Sequence, residues 1–307
     1  MSAAGSRSSE TVSCFLCGGT ETRLLFQGEG FAMGLCRGCG LVRQNPRLRE
    51  EVLRHEHYDG EVQERPKRSD PTLPPWLARP LESYRECVTF VERAWEAGRP
   101  RGLWIDVGAS GGGLLVAARE AGWRVAGVEI GEGQARTCRE VHGFDVVHGT
   151  LREARYPDGC AGVVSFRHVM EHLHRPDADL REACRILEPG GLLLIEVPNY
   201  AGQRYRLDRL RWKLRLGHNP WNSLNIPEHL FYFTPRTLRA ALERLGFRIE
   251  GFRTYGRFRE KEPLVRRAYN RLRDGFSLGN KMRVVARSVS GARWKRSPAK
   301  VRTARTG

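Results

Sequence analysis

The stretch Leu103-Trp-Ile-Asp-Val-Gly-Ala-Ser-Gly-Gly-Gly-Leu-Leu-Val-Ala-Ala-Arg-Glu120 decides the fold. Leu103–Val107 reads as a strand, a glycine-rich turn follows, and Leu114–Glu120 reads as the start of a helix. Such a turn lets backbone approach a ligand closely, because the missing Cβ atoms leave room. Working outward, strand-like and helix-like segments alternate: Arg124–Glu129, Gly133–Val141, Asp145–Val147, Gly162–Phe166, Asp177–Leu187 and Leu192–Val197. That alternation implies an α/β class with a parallel sheet covered on both faces, and a ligand outside the carboxyl ends of the strands. Asp106 precedes the first glycine by two residues; its carboxylate would repel a pyrophosphate but suits a cationic amino-acid moiety. Glu129 ends the next strand about 20 residues on, where an acid can accept both hydroxyls of a ribose. An adenosine with a charged amino-acid tail fits both positions. The plainer alternative for Glu129 is a solvated strand end.

Ahead of this region, Cys14-Phe-Leu-Cys17 and Cys36-Arg-Gly-Cys39 form two C-x-x-C pairs. Each suits a tight knuckle, with Gly18 and Gly40 at the positions that favour positive φ. Four thiolates with no His or carboxylate among them point to a closed, structural Zn²⁺ site, with a redox dithiol as the alternative. The remaining cysteines, Cys87, Cys138, Cys160 and Cys184, lie singly in apolar or helical pattern and read as small core residues.

The 307-residue length suits one large domain plus an accessory module and needs no disulfide staples. The longest apolar run, Leu114–Ala118, is far shorter than the ~20 residues of a membrane helix. The first residues read as a disordered leader rather than a secretory signal, so a cytoplasmic location is expected. Of the +17 net charge, residues 201–307 carry +20 and residues 1–200 carry −3. A basic third of this kind suits nucleic acid, anionic lipid or a phosphate-bearing substrate, unless it reflects a general preference for arginine.

Between the cysteines and the sheet, residues 47–79 are polar and Pro-containing and read as a linker. An amphipathic helix follows over Pro80–Ala97. Past the fourth strand lie His168, Glu171, His172 and His174, where His168 and His172 would share a face if the segment were helical. Farther on comes Pro227-Glu-His229-Leu-Phe-Tyr-Phe233. His229 is the stronger candidate base, while His172 suits a capping or core role as well as catalysis. Residues 199–226 form a lid-like insertion in which Arg204, Arg206, Arg209, Arg211, Lys213 and Arg215 interleave with Tyr200, Tyr205 and Trp212. Its bland reading is a surface helix with Leu207, Leu210, Leu214 and Leu216 as the buried stripe. Thr234-Pro235 caps a further helix, Phe247–Thr254 reads as a sixth strand and Lys281–Ser288 as a seventh.

The sequence resembles the class I S-adenosylmethionine-dependent methyltransferases. The resemblance rests on Asp106-x-Gly108-x-x-x-Gly112, on Gly127-Val-Glu129-Ile, on Val163-Val-Ser-Phe-Arg-His-Val-Met-Glu-His172 and on Leu187-Glu-Pro-Gly-Gly191. It implies a seven-stranded Rossmann-like sheet within residues 80–288, to which composition and cysteine spacing add a leader at 1–10, a zinc ribbon at 11–46 and a basic disordered tail at 289–307. It further implies S-adenosylmethionine as cofactor, held by Asp106, Gly108, Ser110, Gly112 and Glu129. Thr150 and Leu151 would flank the adenine from one side, Phe166 and Arg167 from the other. Ser110 replaces the usual second glycine. A four-cysteine ribbon before such a domain is similar to bacterial methyltransferases of sugars and polysaccharide precursors, in which a Glu-His pair matching Glu228-His229 deprotonates the acceptor. Ile226 stands where the C-methyltransferases of that group carry tyrosine, so O-methylation of a sugar or similar hydroxyl compound is the expected reaction. The expected partner is a small-molecule or glycan acceptor. The alternatives are RNA methylation using the basic third, and a non-catalytic cofactor-binding adaptor whose basic tail docks at the inner face of a membrane.

Overall fold

The computed structural model describes residues 8–27, 31–57, 81–216, 224–256, 270 and 272–289. The N-terminal part comprises β1 (Ser9–Glu10), β2 (Thr22–Gln27), β3 (Ala32–Cys36), β4 (Val42–Gln44), β5 (Arg47–Leu48) and α1 (Glu50–His57). After α2 (Glu82–Glu92) the main region runs β6 (Leu103–Val107), α3 (Gly113–Glu120), β7 (Arg124–Glu129), α4 (Glu132–Glu140), β8 (Asp145–His148), β9 (Ala161–Arg167), α5 (Pro176–Ile186) and β10 (Leu187–Pro198). It closes with α6 (Gln203–Lys213), β11 (Phe231–Tyr232), α7 (Pro235–Arg244), β12 (Phe247–Tyr255) and β13 (Lys281–Ser288).

Seven strands form one sheet in the order β12-β13-β10-β9-β6-β7-β8. The five strands from β10 to β8 are parallel, and β13 runs antiparallel between β10 and β12. The expected α/β class and both late strands are therefore present. β10 illustrates why a strand buried on both faces reads as a continuous apolar run. Leu192 and Leu194 pack with α2 and α3 against Trp104 and Trp123, whereas Leu193 and Ile195 face the opposite layer with Leu180, Leu238 and Phe247. Helix starts follow the local chemistry. Thr234 and Thr237 form a reciprocal capping box ahead of Pro235 in α7, and Asp177 and Asp179 complement the dipole in the first turn of α5.

The cysteine module is not a separate body. Its sheet has the order β11-β4-β3-β2, so its fourth strand comes from residues 231–232 of the main region. Cys14, Leu16, Cys36, Cys39 and Leu41 share one apolar cluster with Phe231, Phe233, Leu238 and Leu242. Phe15 meets Phe231 edge to face, with ring centroids 5.0 Å apart.

Several expectations change. Ser9–Glu10 of the expected leader pair with β5, and Glu10 Oε1 lies 2.8 Å from the Arg47 guanidinium. Residues 47–57 of the expected linker form β5 and α1; the sequence hides α1 because only Val52 and Leu53 interrupt its charges. Residues 58–79 and the tail from 290 lie outside the described residues. α2 spans Glu82–Glu92, shorter than the expected helix. Residues 168–174 are a turn, so His168 and His172 do not share a helix face. The leucines of the insertion are exposed, at 42% for Leu207, 50% for Leu210, 59% for Leu214 and 65% for Leu216. α6 instead buries Tyr205 and Asp208.

Candidate active site

A cavity of about 910 Å³ opens at the carboxyl ends of the parallel strands, at the upper end of the range for small-molecule sites. One part of its wall comes from Asp106, Gly108, Ser110, Glu129, Thr150 and Leu151. The other part includes Glu171, His172, Glu228 and His229. A single cavity thus joins the expected cofactor loop to the expected acceptor residues.

In the first part, Gly108 has φ +71° and a Cβ there would lie 2.5 Å from Val169 Cγ2. Only glycine fits this approach of loop and turn. Ser110 takes the left-handed conformation at φ 49°, as the missing glycine would, while Gly112 serves as the N-cap of α3 rather than as cavity wall. The Glu129 carboxylate accepts the backbone N–H groups of Ser110 at 2.7 Å and Gly131 at 2.9 Å. Strand end and loop are tied by that one side chain. Asp106 accepts from Ser165 Oγ at 2.6 Å, and Trp104 Nε1 donates to the same hydroxyl at 2.8 Å. Burial pushes the Asp106 carboxyl up to about 7, against the opposing pull of Ser165 and Arg167.

The expectation for β9 is corrected. Phe166 is fully enclosed in the core and does not reach the cavity. Period-2 alternation sends Ser165 and Arg167 to the other face of the sheet. Arg167 lines the cavity, but its guanidinium stacks on Tyr84 at 4.4 Å and its Nε lies 3.3 Å from Glu196 Oε1. Glu196 also receives Arg283 Nε at 2.8 Å. Burial disfavours the Glu196 charge, yet Arg167 and Arg283 hold its carboxyl well below the usual range. This buried ion network underlies His168, whose Nε2 is 3.2 Å from Glu196 Oε1 and 3.1 Å from Lys281 Nζ.

In the second part, two distant segments are stitched together. The Glu171 carbonyl accepts the N–H groups of Leu230 at 2.7 Å and Phe231 at 3.1 Å. His172 Nδ1 lies 3.1 Å from the Glu228 carbonyl and must donate there, which leaves Nε2 with its lone pair. The rings of His172 and His229 meet edge to face at 4.6 Å. Asn225 Nδ2 is 3.4 Å from His229 Nε2. One ligand atom each of Glu171, His172 and His229 lies within 4.8 Å of the others. Burial lowers His229 to about 4, only partly offset by the Glu171 charge. Burial likewise opposes the Glu171 charge, but the His168 hydrogen bond and the charges of its histidine neighbours outweigh it and hold the carboxyl at about 2. Glu171, rather than Glu228, is the carboxylate grouped with the two imidazoles. Its backbone links to 230 and 231 are what bring it there, and spacing along the chain carries no trace of them.

Glu50, Leu53 and Arg54 of α1 and Lys281, which the sequence did not single out, also border the cavity, as do Arg204 and Tyr205 of the lid-like insertion. The cysteine module also holds the acceptor wall from behind, because Gln44 Nε2 donates to the carbonyls of Pro227 at 2.9 Å and His229 at 2.7 Å. Within that module Cys14 and Cys39 Sγ lie 3.6 Å apart, Cys17 and Cys36 Sγ 3.4 Å, and all four within 4.8 Å. A zinc tetrathiolate with Zn–S near 2.3 Å has edges of roughly 3.8 Å, so the donor set fits that ion. The interaction with Cys39 outweighs burial and pulls the Cys14 thiol down to about 5.

The strand order, the glycine turn and the terminal acids define the class I S-adenosylmethionine-dependent methyltransferase fold. Comparison with known families agrees: residues 79–250 match the methyltransferase domain family, and the chain belongs to it. A ubiquinone biosynthesis O-methyltransferase of Maricaulis maris is 27% identical over 184 residues, which is 57% of this chain and 65% of that protein. An S-adenosylmethionine-dependent methyltransferase of Mycolicibacterium smegmatis is 29% identical over 129 residues, 41% of this chain and 44% of that protein. The chain therefore spans less than two thirds of the length of these curated relatives. The solved complex between the Haloferax volcanii Trm112 methyltransferase activator and a methyltransferase contains a chain of the same fold, with TM-score 0.50 and 14% identity over 69% of this chain and 93% of that one.

Proposed function

We propose that this protein transfers a methyl group from S-adenosylmethionine to a hydroxyl of a small molecule, a sugar or sugar-containing metabolite being the acceptor. The observation that carries the reading is the one cavity bounded by both Glu129 and the Glu171–His172–His229 cluster. When bound, the cofactor supplies a sulfonium methyl that is already activated for in-line displacement. Glu129 would accept the ribose hydroxyls and so exchange its backbone hydrogen bonds to Ser110 and Gly131 for ligand ones. Asp106 would face the amino-acid end, and Thr150 and Leu151 the adenine. Alignment is then the main contribution of this wall.

On the acceptor side His229 is neutral at pH 7 and serves as the base. The acceptor hydroxyl would replace the long hydrogen bond from Asn225 at Nε2. Glu171 keeps its charge beside the imidazoles and stabilises the imidazolium that forms, while His172 holds the 228–229 backbone in place. Glu228 lines the cavity and is available to a second hydroxyl of the acceptor. The four cysteines would bind a structural zinc ion that fixes β4, and with it Gln44, against the His229 segment.

The basic third does not favour RNA. Two of its arginines are committed internally, Arg283 to Glu196 and Arg209 over Tyr200. The test is transfer of labelled methyl into a host lysate separated into small polar metabolites, lipid-linked glycans, protein and RNA. Label in sugar metabolites or glycans is expected. Label confined to RNA would overturn the reading, and cofactor binding without transfer to any fraction would favour a binding protein.

A further inference from the structure

α6 is inverted relative to an ordinary surface helix. At ~100° per residue, Tyr205, Asp208 and Trp212 share one side, and Leu207, Leu210 and Leu214 lie roughly opposite. The first side packs near the helix start, where Tyr205 and Asp208 are buried; Trp212 meets Phe26 with ring centroids 4.7 Å apart and stays 45% exposed. The leucines face outward at 42–59% exposure, and Leu216 follows at 65%. By the same angular count Arg206 and Lys213 border this stripe on one side, Arg204 and Arg211 on the other, and all four are exposed. The segment docked on the start of α6, through the Gln203 N–H to the Leu278 carbonyl at 2.9 Å, carries Leu272 and Phe276, 65% and 74% exposed.

We infer that α6 docks this protein onto an anionic phospholipid surface. Leu207, Leu210 and the capping Leu214 project outward between exposed cations, so the leucines can enter the acyl boundary of a bilayer while the cations meet lipid phosphates. A second copy of the chain is a poorer occupant, because stripe-to-stripe contact sets cation against cation in a chain of net charge +17. RNA fits less well, since the leucines between the cations offer neither hydrogen bonds nor stacking. The same helix supplies Arg204 and Tyr205 to the cavity wall, so docking sets the cavity mouth beside the lipid surface. This inference stands on α6 alone and does not depend on which hydroxyl is methylated.

The experiment is co-sedimentation of the full chain with phosphatidylcholine vesicles, with and without phosphatidylglycerol. Binding is expected only when phosphatidylglycerol is present. The triple variant Leu207→Ser, Leu210→Ser, Leu214→Ser should lower the partition constant roughly tenfold or more, with its thermal transition and cofactor affinity unchanged because these side chains are exposed. Arg206→Gln, Arg211→Gln and Lys213→Gln together should weaken binding and flatten its salt dependence. Deletion of residues 290–307 should leave most of the binding intact. The inference is overturned if the full chain stays in the supernatant, if the leucine variant sediments like the parent, or if tail deletion alone abolishes binding. A lipid-free dimer that the leucine variant converts to monomers would overturn it in favour of an interface between copies.

Discussion

The two walls of the cavity are built in opposite ways. The cofactor wall comes mainly from three consecutive strand ends and their loops between Asp106 and Leu151, so local hydrogen bonds such as Ser110 N–H to Glu129 complete it. The acceptor wall draws on the turn after β9, Tyr205 of α6 and the Asn225–His229 segment, and needs the cysteine module behind it. One wall should tolerate distant damage. The other should not.

The largest effect is expected from the thiolate cluster. With the proposed zinc ion bound, Cys36→Ser or treatment with a chelator should destabilise the chain by several kcal/mol, given that structural zinc sites release about 10–16 kcal/mol on metal binding. Because the cluster shares its core with Phe231 and Phe233, turnover should fall at least a hundredfold. Cofactor affinity, measured by calorimetry below the new unfolding temperature, should change far less. Equal losses in both would mean that the two walls are not separable.

His229→Ala comes next, with turnover expected to fall about 10²–10⁴-fold, the usual worth of a positioned base, and cofactor affinity unchanged. Full retained turnover would remove His229 from the mechanism. The pH behaviour follows from the same residue. Its folded value of about 4 lies below the unfolded 6.5, so between these values the unfolded chain binds the proton and the folded chain does not. Its contribution to stability is therefore complete above pH 6.5 and is lost as pH falls toward 4. Glu171 acts in the same direction lower down, from 4.5 to about 2. Denaturant titrations at pH 7 and pH 5 should show a smaller drop for His229→Asn than for the parent, and turnover should stay level from pH 6 to 8. A midpoint near 6.5 in the rate profile would contradict the buried, neutral base.

The same contrast explains what the sequence discloses. The Asp106–Gly112 turn and the Glu129 strand end are legible because motif and geometry coincide within one βαβ unit. Thr150 and Leu151 follow from the next strand. Phe166 misleads, since a β9 residue next to Arg167 is sent by pleat alternation into the core. Glu171 was visible as one of several acids and bases near His172, but its place beside His229 depends on long-range backbone bonds to 230 and 231. The leucines of α6 mislead for a different reason: helical periodicity reveals an apolar stripe without revealing which side of the helix meets the protein.

On the cofactor wall, Glu129→Ala should weaken S-adenosylmethionine binding about 10–100-fold, one or two charge-assisted hydrogen bonds at 1.4 kcal/mol per tenfold. Turnover at saturating cofactor should be nearly preserved. A loss of turnover at saturation with unaltered affinity would move Glu129 out of the ribose role and leave it as the tie between β7 and the glycine turn.

The smallest effect tests the seam itself. Gln44 is buried, and its side-chain amide donates to both the Pro227 and His229 carbonyls, so it is a side-chain link between β4 and the segment bearing the base, added to the backbone bond from its own N–H to the Leu230 carbonyl. Gln44→Met keeps approximate volume while deleting both donors, which should cost about 1–3 kcal/mol because two carbonyls lose their partners. A small shift of the His229 backbone should then lower turnover by roughly threefold to tenfold, since alignment of the base is sensitive to displacement well below 1 Å. Cofactor affinity, set on the opposite wall, should not move. If stability falls by the expected amount while turnover holds, Gln44 fastens the module without positioning His229, and the acceptor wall owes its shape to the Glu171 carbonyl and its bonds to Leu230 and Phe231 instead.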